Sequence, residues 1–380
     1  MNMIINLFFK ELILLFFFIN IIIKYEKKNY FKIKKEIRKL KRYYIINDRG
    51  ILINSNNFKR SDCPKVSIVS AVYNRAKFLL RFLRSIQNQQ FNNIEIIFVD
   101  DCSDDNSIQM IEKYREEDER IILLKQKKNK GTLFSRNIGA LKSKGEYLIF
   151  PDPDDILSDD ILSNCYEIAK KNNFEMIRFN MYSKYFFPFN LIQNNLPNII
   201  YQPYLRTHLI YGLGYEKLID GIISNKFIKR TTFIITLNSI NKFYLNQNMI
   251  YFEDGLINFA LHFNAKSLFL YQKIGYYYIF NKDSVSRSLN YNIYIKCYFL
   301  YLKFLLDNIK NKKYEKNMII FLLNEYIHDN NLLYNIKDSL KIYEEVINIL
   351  LNFNFISYIN KQKLLNIKKI IFKNNLKKKF

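Results

Sequence analysis

The chain has 380 residues, 49% hydrophobic and 16% aromatic, which suits one large or two smaller folded domains and argues against a disordered chain. Its 59 Lys+Arg against 35 Asp+Glu leave a net charge of +24, yet the chain is also crowded with Asn, Ile, Tyr and Phe and lacks Trp. Such a bias accounts for the basicity without a nucleic-acid partner, and four cysteines (Cys63, Cys102, Cys165, Cys297) with neither C-x-x-C pairing nor metal spacing argue against a disulfide framework or a zinc site.

Residues 4–23 are 20 in number, nearly all apolar, interrupted by Asn6, Asn20 and the pair Lys10-Glu11. That is about the length of a bilayer-spanning helix, so residues 1–23 read as an N-terminal hydrophobic helix and membrane anchor. A signal peptide and a buried amphipathic helix compete with this reading; the first lacks a small-residue cleavage site. Residues 24–62 form a linker whose first part, 24–42, is strongly basic, as in a collar retained on the cytosolic side. The expectation is a membrane-associated protein with its folded part facing the cytosol. The chain has no N-x-S/T sequon, which agrees, although a Golgi or ER lumenal enzyme need not carry one.

Pro64 opens the folded region. Residues 65–72 (KVSIVSAV) are rich in β-branched side chains and read as a buried strand running into Tyr73-Asn74-Arg75. Phe78, Leu79, Phe82, Leu83 and Ile86 then recur at helical spacing. Residues 94–99 (IEIIFV) form a second strand, closed by the acidic run Asp100 to Asp105. Ser107 starts a helix with Ile108, Ile111 and Tyr114 on one face. A third strand spans 120–124, a loop feeding a helix spans 131–140 (GTLFSRNIGA), and a fourth strand spans 147–150. Alternation at this spacing predicts an α/β domain with a doubly wound, mostly parallel sheet.

The fourth strand ends abruptly in Pro151-Asp152-Pro153-Asp154-Asp155. Three carboxylates at the carboxyl end of a buried strand need positive charge among them, and that edge of an open α/β sheet is where ligands bind. Hard oxygens on a short turn suit a divalent cation that also grips a substrate phosphate. An Asp/Pro turn capping a helix from Ser158 is the plainer reading. Three strands ending in polar clusters on one edge point to a nucleotide site. There Tyr73 can stack on a base, Asp101 can accept a base N–H or a ribose hydroxyl, and Arg136 can meet a diphosphate. Taken singly, these residues are equally a turn (Tyr73, Asn74), a capped loop (Asp100 to Asp105) and a surface charge.

The ordered series VSIVSAVYNR, IEIIFVDDCSDDNS and GTLFSRNIGALKSKGEYLIFPDPDD resembles the nucleotide-sugar domain of family 2 glycosyltransferases, of GT-A fold. The likeness is close from Pro64 to Tyr182 and looser to Arg287. It implies inverting transfer from a nucleotide-diphosphate sugar, UDP- or GDP-linked, with Mn²⁺ or Mg²⁺. It also implies that Tyr73, with Asn74 beside it, lies by the base and that Asp101, next to Asp100, reads the base. Asp152 would contact ribose or metal, Asp154 with Asp155 would bind the metal, and Arg136 matches the arginine of the family's A-R-N-x-G pattern. The implied domain runs over 63–287, with a nucleotide-sugar half (63–182) and an acceptor half (183–287).

On the acceptor side, Phe227 to Phe233 resembles the family's segment that closes the sugar pocket. Residues 249–254 (MIYFED) match its hydrophobic-then-Glu-Asp motif, which makes Asp254 the implied general base and Glu253 its neighbour; a helix N-terminal acidic pair is the alternative. After Tyr276-Tyr277-Tyr278 the family often places Arg or His, whereas Ile279, Phe280 and Asn281 stand here, with Arg287 as a substitute. Residues 288–380 read as helical and basic, with broad apolar faces over 293–306 and 340–355 for packing on the domain or lying on a membrane. The expected partners are a nucleotide-sugar donor, a glycan, lipid or protein acceptor and a membrane, without nucleic acid. A non-catalytic sugar-nucleotide or glycan-binding module of the same fold is the alternative.

Overall fold

Long β-branched runs become strands buried on both faces, and in the computed structural model the first two, β1 (Val66–Val72) and β2 (Ile94–Asp100), lie side by side and parallel within the sheet. The structure describes residues 58–183, 199–201, 222–279 and 291–308. Helix α1 (Ala76–Gln87) follows β1 and buries Leu79, Phe82, Leu83 and Ile86, with the Phe82 ring set edge-on to Phe98 of β2. Next come α2 (Ser107–Glu117), β3 (Ile121–Lys125), α3 (Thr132–Lys142), β4 (Tyr147–Ile149), β5 (Ile156–Leu157) and α4 (Ile161–Asn172). The second half holds β6 (Met176–Ser183), β7 (Ile199–Tyr201), β8 (Lys226–Lys229), α5 (Arg230–Ser239), α6 (Lys242–Leu245), α7 (Glu253–Asn264), β9 (Ser267–Tyr278) and α8 (Tyr291–Asn308).

The strand order is β3-β2-β1-β4-β8-β6-β9-β5, with β7 also on β9. Expected as mostly parallel, the sheet is mixed. The β1–β2, β1–β4, β2–β3 and β6–β9 pairings are parallel, while β4–β8, β6–β8, β5–β9 and β7–β9 are antiparallel. The reason lies in β8, which runs against both its neighbours and so reverses the sheet where the nucleotide half ends. Helix α3 lies directly on the sheet because of Gly139, where a Cβ would come within 2.3 Å of Val69. The helix expected from Ser158 begins at Ile161, after two residues of β5.

The folded unit also begins earlier than Pro64. Phe58 bridges to Asp118 and its carbonyl accepts the Glu119 N–H at 3.1 Å. Its ring covers the guanidinium of Arg120 at 4.0 Å, and Arg120 is buried against Asp118 at 2.7 Å. Residues 1–57, including the apolar and basic segments read as anchor and collar, lie outside the described residues, as do Arg287 and the apolar face at 340–355. No helix among the described residues is long and apolar enough to cross a membrane. Residues 293–306 belong to α8, which packs on the domain through buried Cys297, Leu300, Phe304 and Leu305.

Candidate active site

The carboxyl ends of β1, β2 and β4 meet at one edge, as parallel strands must, and there the structure brings together residues far apart in the chain. Arg136, on the second turn of α3, hydrogen-bonds through one terminal nitrogen to Asp152 Oδ1 at 2.6 Å and through the other to Asp254 Oδ1. The arginine is nearly buried, at 6% exposure, whereas Asp152 and Asp254 are 37% and 22% exposed. Burial works against the guanidinium's charge, but the Asp254 and Asp152 carboxylates hold its pKa above the ordinary arginine value. The remaining oxygens are fixed by residues just before β8. The Ile223 N–H donates to Asp254 Oδ2 at 3.1 Å, and Ser224 Oγ donates to Asp152 Oδ2 at 3.2 Å.

Glu253 and Asp254 open helix α7, so the pair is a helix-terminal acidic pair and a partner of Arg136 at once. One guanidinium cannot balance Asp152, Asp254 and Glu253 together. Burial, helped by the Asp254 charge and opposed by Arg136, pushes the Glu253 carboxyl up to about 8. Burial raises Asp254 as well, against the pull of Arg136.

The three carboxylates of the acidic turn do not converge. Asp154 faces Arg75 at 3.6 Å, and Arg81 donates to its carbonyl at 2.8 Å. Asp155 is buried, with Oδ2 accepting from the Tyr276 hydroxyl at 2.6 Å and Oδ1 from the Ile279 N–H at 2.7 Å. The same tyrosine oxygen accepts the Asp152 N–H at 3.1 Å, so one side chain from β9 pins two residues of the turn. Burial, then the Asp154 and Asp152 charges, drives the Asp155 pKa well up, and burial with Asp155 drives up that of Tyr276. Read from sequence as a metal ligand, Asp155 is a brace here because both its oxygens are committed inward. Among the described residues no three His, Cys, Asp or Glu side chains converge as a metal cage. Asp152 and Asp154, partly exposed on one turn, do fit a cation completed by substrate phosphates.

At the nucleotide end, Tyr73 is 42% exposed beside Asn74, which adopts φ 53° and accepts the Asp104 N–H at 2.8 Å. Asp101, expected to read the base, is turned inward. Its oxygens accept the Lys130 N–H at 2.8 Å, the Gly131 N–H at 2.7 Å and Gln126 Nε2 at 2.9 Å. It thereby anchors the loop before α3, where Gly131 takes φ 88° and has no room for a Cβ against Asn248. Asp100 differs: Oδ2 accepts the Cys102 and Ser103 N–H groups, while Oδ1 is buried without a partner. Within the segment Phe227 to Phe233, expected to close the sugar pocket, Phe227 stacks on Tyr147 and Phe233 packs at a tilt against Phe150 in the core. The site residues of that stretch are the preceding Ile223 and Ser224, which periodicity could not single out.

Residues 67–234 match the family model described as glycosyl transferase family 2. The Campylobacter jejuni GalNAc(5)-diNAcBac-PP-undecaprenol β-1,3-glucosyltransferase is 28% identical over 264 residues, covering 67% of this chain and 79% of its own. An uncharacterized glycosyltransferase of Haemophilus influenzae is 36% identical over 113 residues, 30% of this chain and 45% of its own. Among solved structures, S. aureus TarS 1–349 in complex with UDP-GlcNAc superposes with TM-score 0.60 and 16% identity, over 82% of this chain and 92% of its own. The Pyrobaculum calidifontis mannosyltransferase PcManGT, in complex with GDP-Man and Mn²⁺, does so with TM-score 0.50 and 12% identity over 87% of each chain. At such identities these structures speak for the shared GT-A fold. The ordered motifs thus lie on that fold, and the stretch from β1 into α5 is the part of the chain that matches glycosyltransferase family 2.

Proposed function

We propose that the protein transfers a sugar, with inversion, from a nucleotide-diphosphate donor, foremost a UDP-sugar, to a hydroxyl on a glycan, lipid or protein acceptor. The observation that carries this reading is the Arg136 bridge, which holds a donor-side carboxylate and an acceptor-side carboxylate on one cation. In the proposed reaction Asp254 takes the acceptor hydroxyl proton while the oxygen attacks the anomeric carbon from the face opposite the diphosphate. The forked guanidinium of Arg136 suits the departing diphosphate, and its move to that charge releases Asp254 to act as base. Glu253 keeps its proton near neutral pH and so does not compete for that role. Tyr73 stacks on the base, and a base N–H completes the unpartnered Oδ1 of Asp100.

Asp152 and Asp154 are the residues that would hold Mn²⁺ or Mg²⁺, whose charge would neutralise the leaving diphosphate. Support for this comes from the exposure of both carboxylates on one turn and from the Mn²⁺ in the PcManGT complex. The β-linkages in the names of the Campylobacter relative and of TarS, a poly(ribitol-phosphate) β-N-acetylglucosaminyltransferase, fit inversion of an α-linked donor. For localisation, the apolar run at 4–23 and the basic run at 24–42 support attachment to a membrane with the enzyme on the cytosolic side.

The deciding experiment incubates the full chain with Mn²⁺ and, in turn, UDP-glucose, UDP-galactose, UDP-N-acetylglucosamine and GDP-mannose, and follows nucleoside diphosphate release. Metal-dependent release from one donor is expected. Nucleotide binding without release from any would leave a sugar-nucleotide-binding module instead.

A further inference from the structure

We propose that Tyr301, on helix α8, is a positioning residue for Asp254: its ring holds Phe252 in the left-handed conformation from which the base-bearing helix starts. The inference rests on the reading of Asp254 as the base and extends the site beyond the family-matched stretch, which stops at residue 234.

Phe252 adopts φ 65° and ψ 4° immediately before Glu253 and Asp254. A bulky side chain in that region is an outlier, kept only where its surroundings over-determine it. The backbone here sets the helix, because the Phe252 carbonyl accepts the Leu256 N–H at 3.0 Å. The Tyr301 ring lies nearly parallel to the Phe252 ring, with centroids 5.8 Å apart and planes at 8°. It is also flush against the first turn of α7, since a Cβ on Gly255 would stand 3.3 Å from both Tyr301 Cζ and Oη.

Tyr301 is itself held. Phe304, one turn on, packs edge-on against Tyr244 at 5.2 Å and Phe259 at 5.7 Å. The Tyr244 hydroxyl donates to Asp307, which Lys303 approaches at 3.7 Å. Asp254 is thus fixed from two sides, by Arg136 and the Ile223 N–H on its carboxylate and by the Phe252–Tyr301 stack under its backbone. A base that slips by about an ångström loses much of its effect.

The test uses the full chain and its Tyr301→Ala, Tyr301→Phe, Tyr301→Leu and Asp254→Asn variants. Three quantities are measured: amide hydrogen exchange over 251–256, Kd for UDP with Mn²⁺, and UDP release from UDP-glucose, UDP-galactose and UDP-N-acetylglucosamine. Tyr301→Ala should speed exchange at 251–256 and lower UDP release by roughly 10- to 100-fold. Its UDP Kd should stay within about twofold, a split that general damage to the fold would not produce. Tyr301→Phe, which keeps the flat ring, should recover the release rate. If the Ala variant fails to fold, Tyr301→Leu keeps the volume without the plane and should show the same split. Unchanged exchange at 251–256, wild-type release, or release and UDP affinity falling together would overturn the role. Asp254→Asn separates the two ideas: normal release there removes the base assignment, while its loss beside a normal Tyr301→Ala removes only the positioning role. Should the wild type release no UDP, exchange at 251–256 still decides the positioning role.

Discussion

Arg136 and Asp254 are 118 residues apart in sequence and joined by a hydrogen-bonded ion pair in the fold. The same guanidinium also holds Asp152, so two carboxylates from opposite halves of the chain share one counter-charge. Asp254→Asn should therefore lower turnover by roughly 100-fold or more, the scale of a lost general base. UDP affinity should not fall, because one competitor for Arg136 has lost its charge. Arg136→Lys should fail to restore function, since a point cation cannot span both carboxylates. Urea unfolding of Arg136→Ala should show a loss of about 1–3 kcal/mol, the cost of leaving its partners unsatisfied.

Tyr276→Phe removes the hydroxyl that donates to Asp155 and accepts from the Asp152 N–H. The buried carboxylate then lacks a donor, at a cost of about 1–3 kcal/mol in stability. The acidic turn also loosens, so a Mn²⁺ titration of donor turnover should shift to higher concentration. Asp154→Ala should instead abolish turnover with little change in thermal stability. Equal behaviour of the two variants in both assays would contradict the division between brace and ligand.

Asp100 and Asp101 make a sharp comparison. Asp101→Asn replaces the acceptor of two backbone N–H groups and should chiefly reduce stability, by about 1–2 kcal/mol. Asp100→Asn should weaken UDP binding by roughly tenfold with little change in melting temperature, about 1.4 kcal/mol at the unpartnered oxygen. Calorimetric titration with UDP and a melting curve for each variant check both halves. UDP affinity falling only in the Asp101 variant would restore that residue as the base reader.

The Glu253 carboxyl, pushed up to about 8 by burial, makes stability depend on pH in a stated direction. Between the ordinary carboxylate range and about 8 the folded chain binds the proton and the unfolded chain does not. Rising pH through that window therefore costs stability. Glu253→Gln removes this term, so its melting temperature should gain on the wild type as pH goes from 5 to 8.5. Each kcal/mol corresponds to about 2–4 °C at 150–250 residues, and somewhat less for a larger unit. Parallel melting curves across that range would show that Glu253 is ionised in the fold.

Much of the nucleotide half was legible because buried parallel strands leave continuous apolar runs, and the polar residue after each run marks the ligand edge. Residues 94–99 and the start of α2 at Ser107 came through that way, and Asp152 was a candidate on the same ground, whereas Arg136 was marked by a Gly-bearing helix start and Asp254 by the resemblance of residues 249–254 to a family motif. Adjacent carboxylates were not separable. Asp154 and Asp155, or Asp100 and Asp101, differ only in which way a turn throws them, and that is decided by Tyr276 and by Lys130–Gly131 far along the chain. The reversal of the sheet at β8 was hidden for the same reason, since strand direction depends on pairings between distant segments. Ser224 and Ile223 escaped notice because a backbone N–H and a lone hydroxyl carry no spacing signature.

Phe58, clamped between Asp118 and Arg120, also decides where anything upstream must be attached. Arg120 pairs with Ile96 near the start of β2, while Asp100 closes that strand at the ligand edge. Four to five residues of extended chain separate the two, on the order of 15 Å. The described chain thus enters the fold at the rear of the parallel strands, and the mouth with Arg136 and Asp254 lies at their opposite ends, so a change at Phe58 would act on the sheet from the side away from the candidate chemistry.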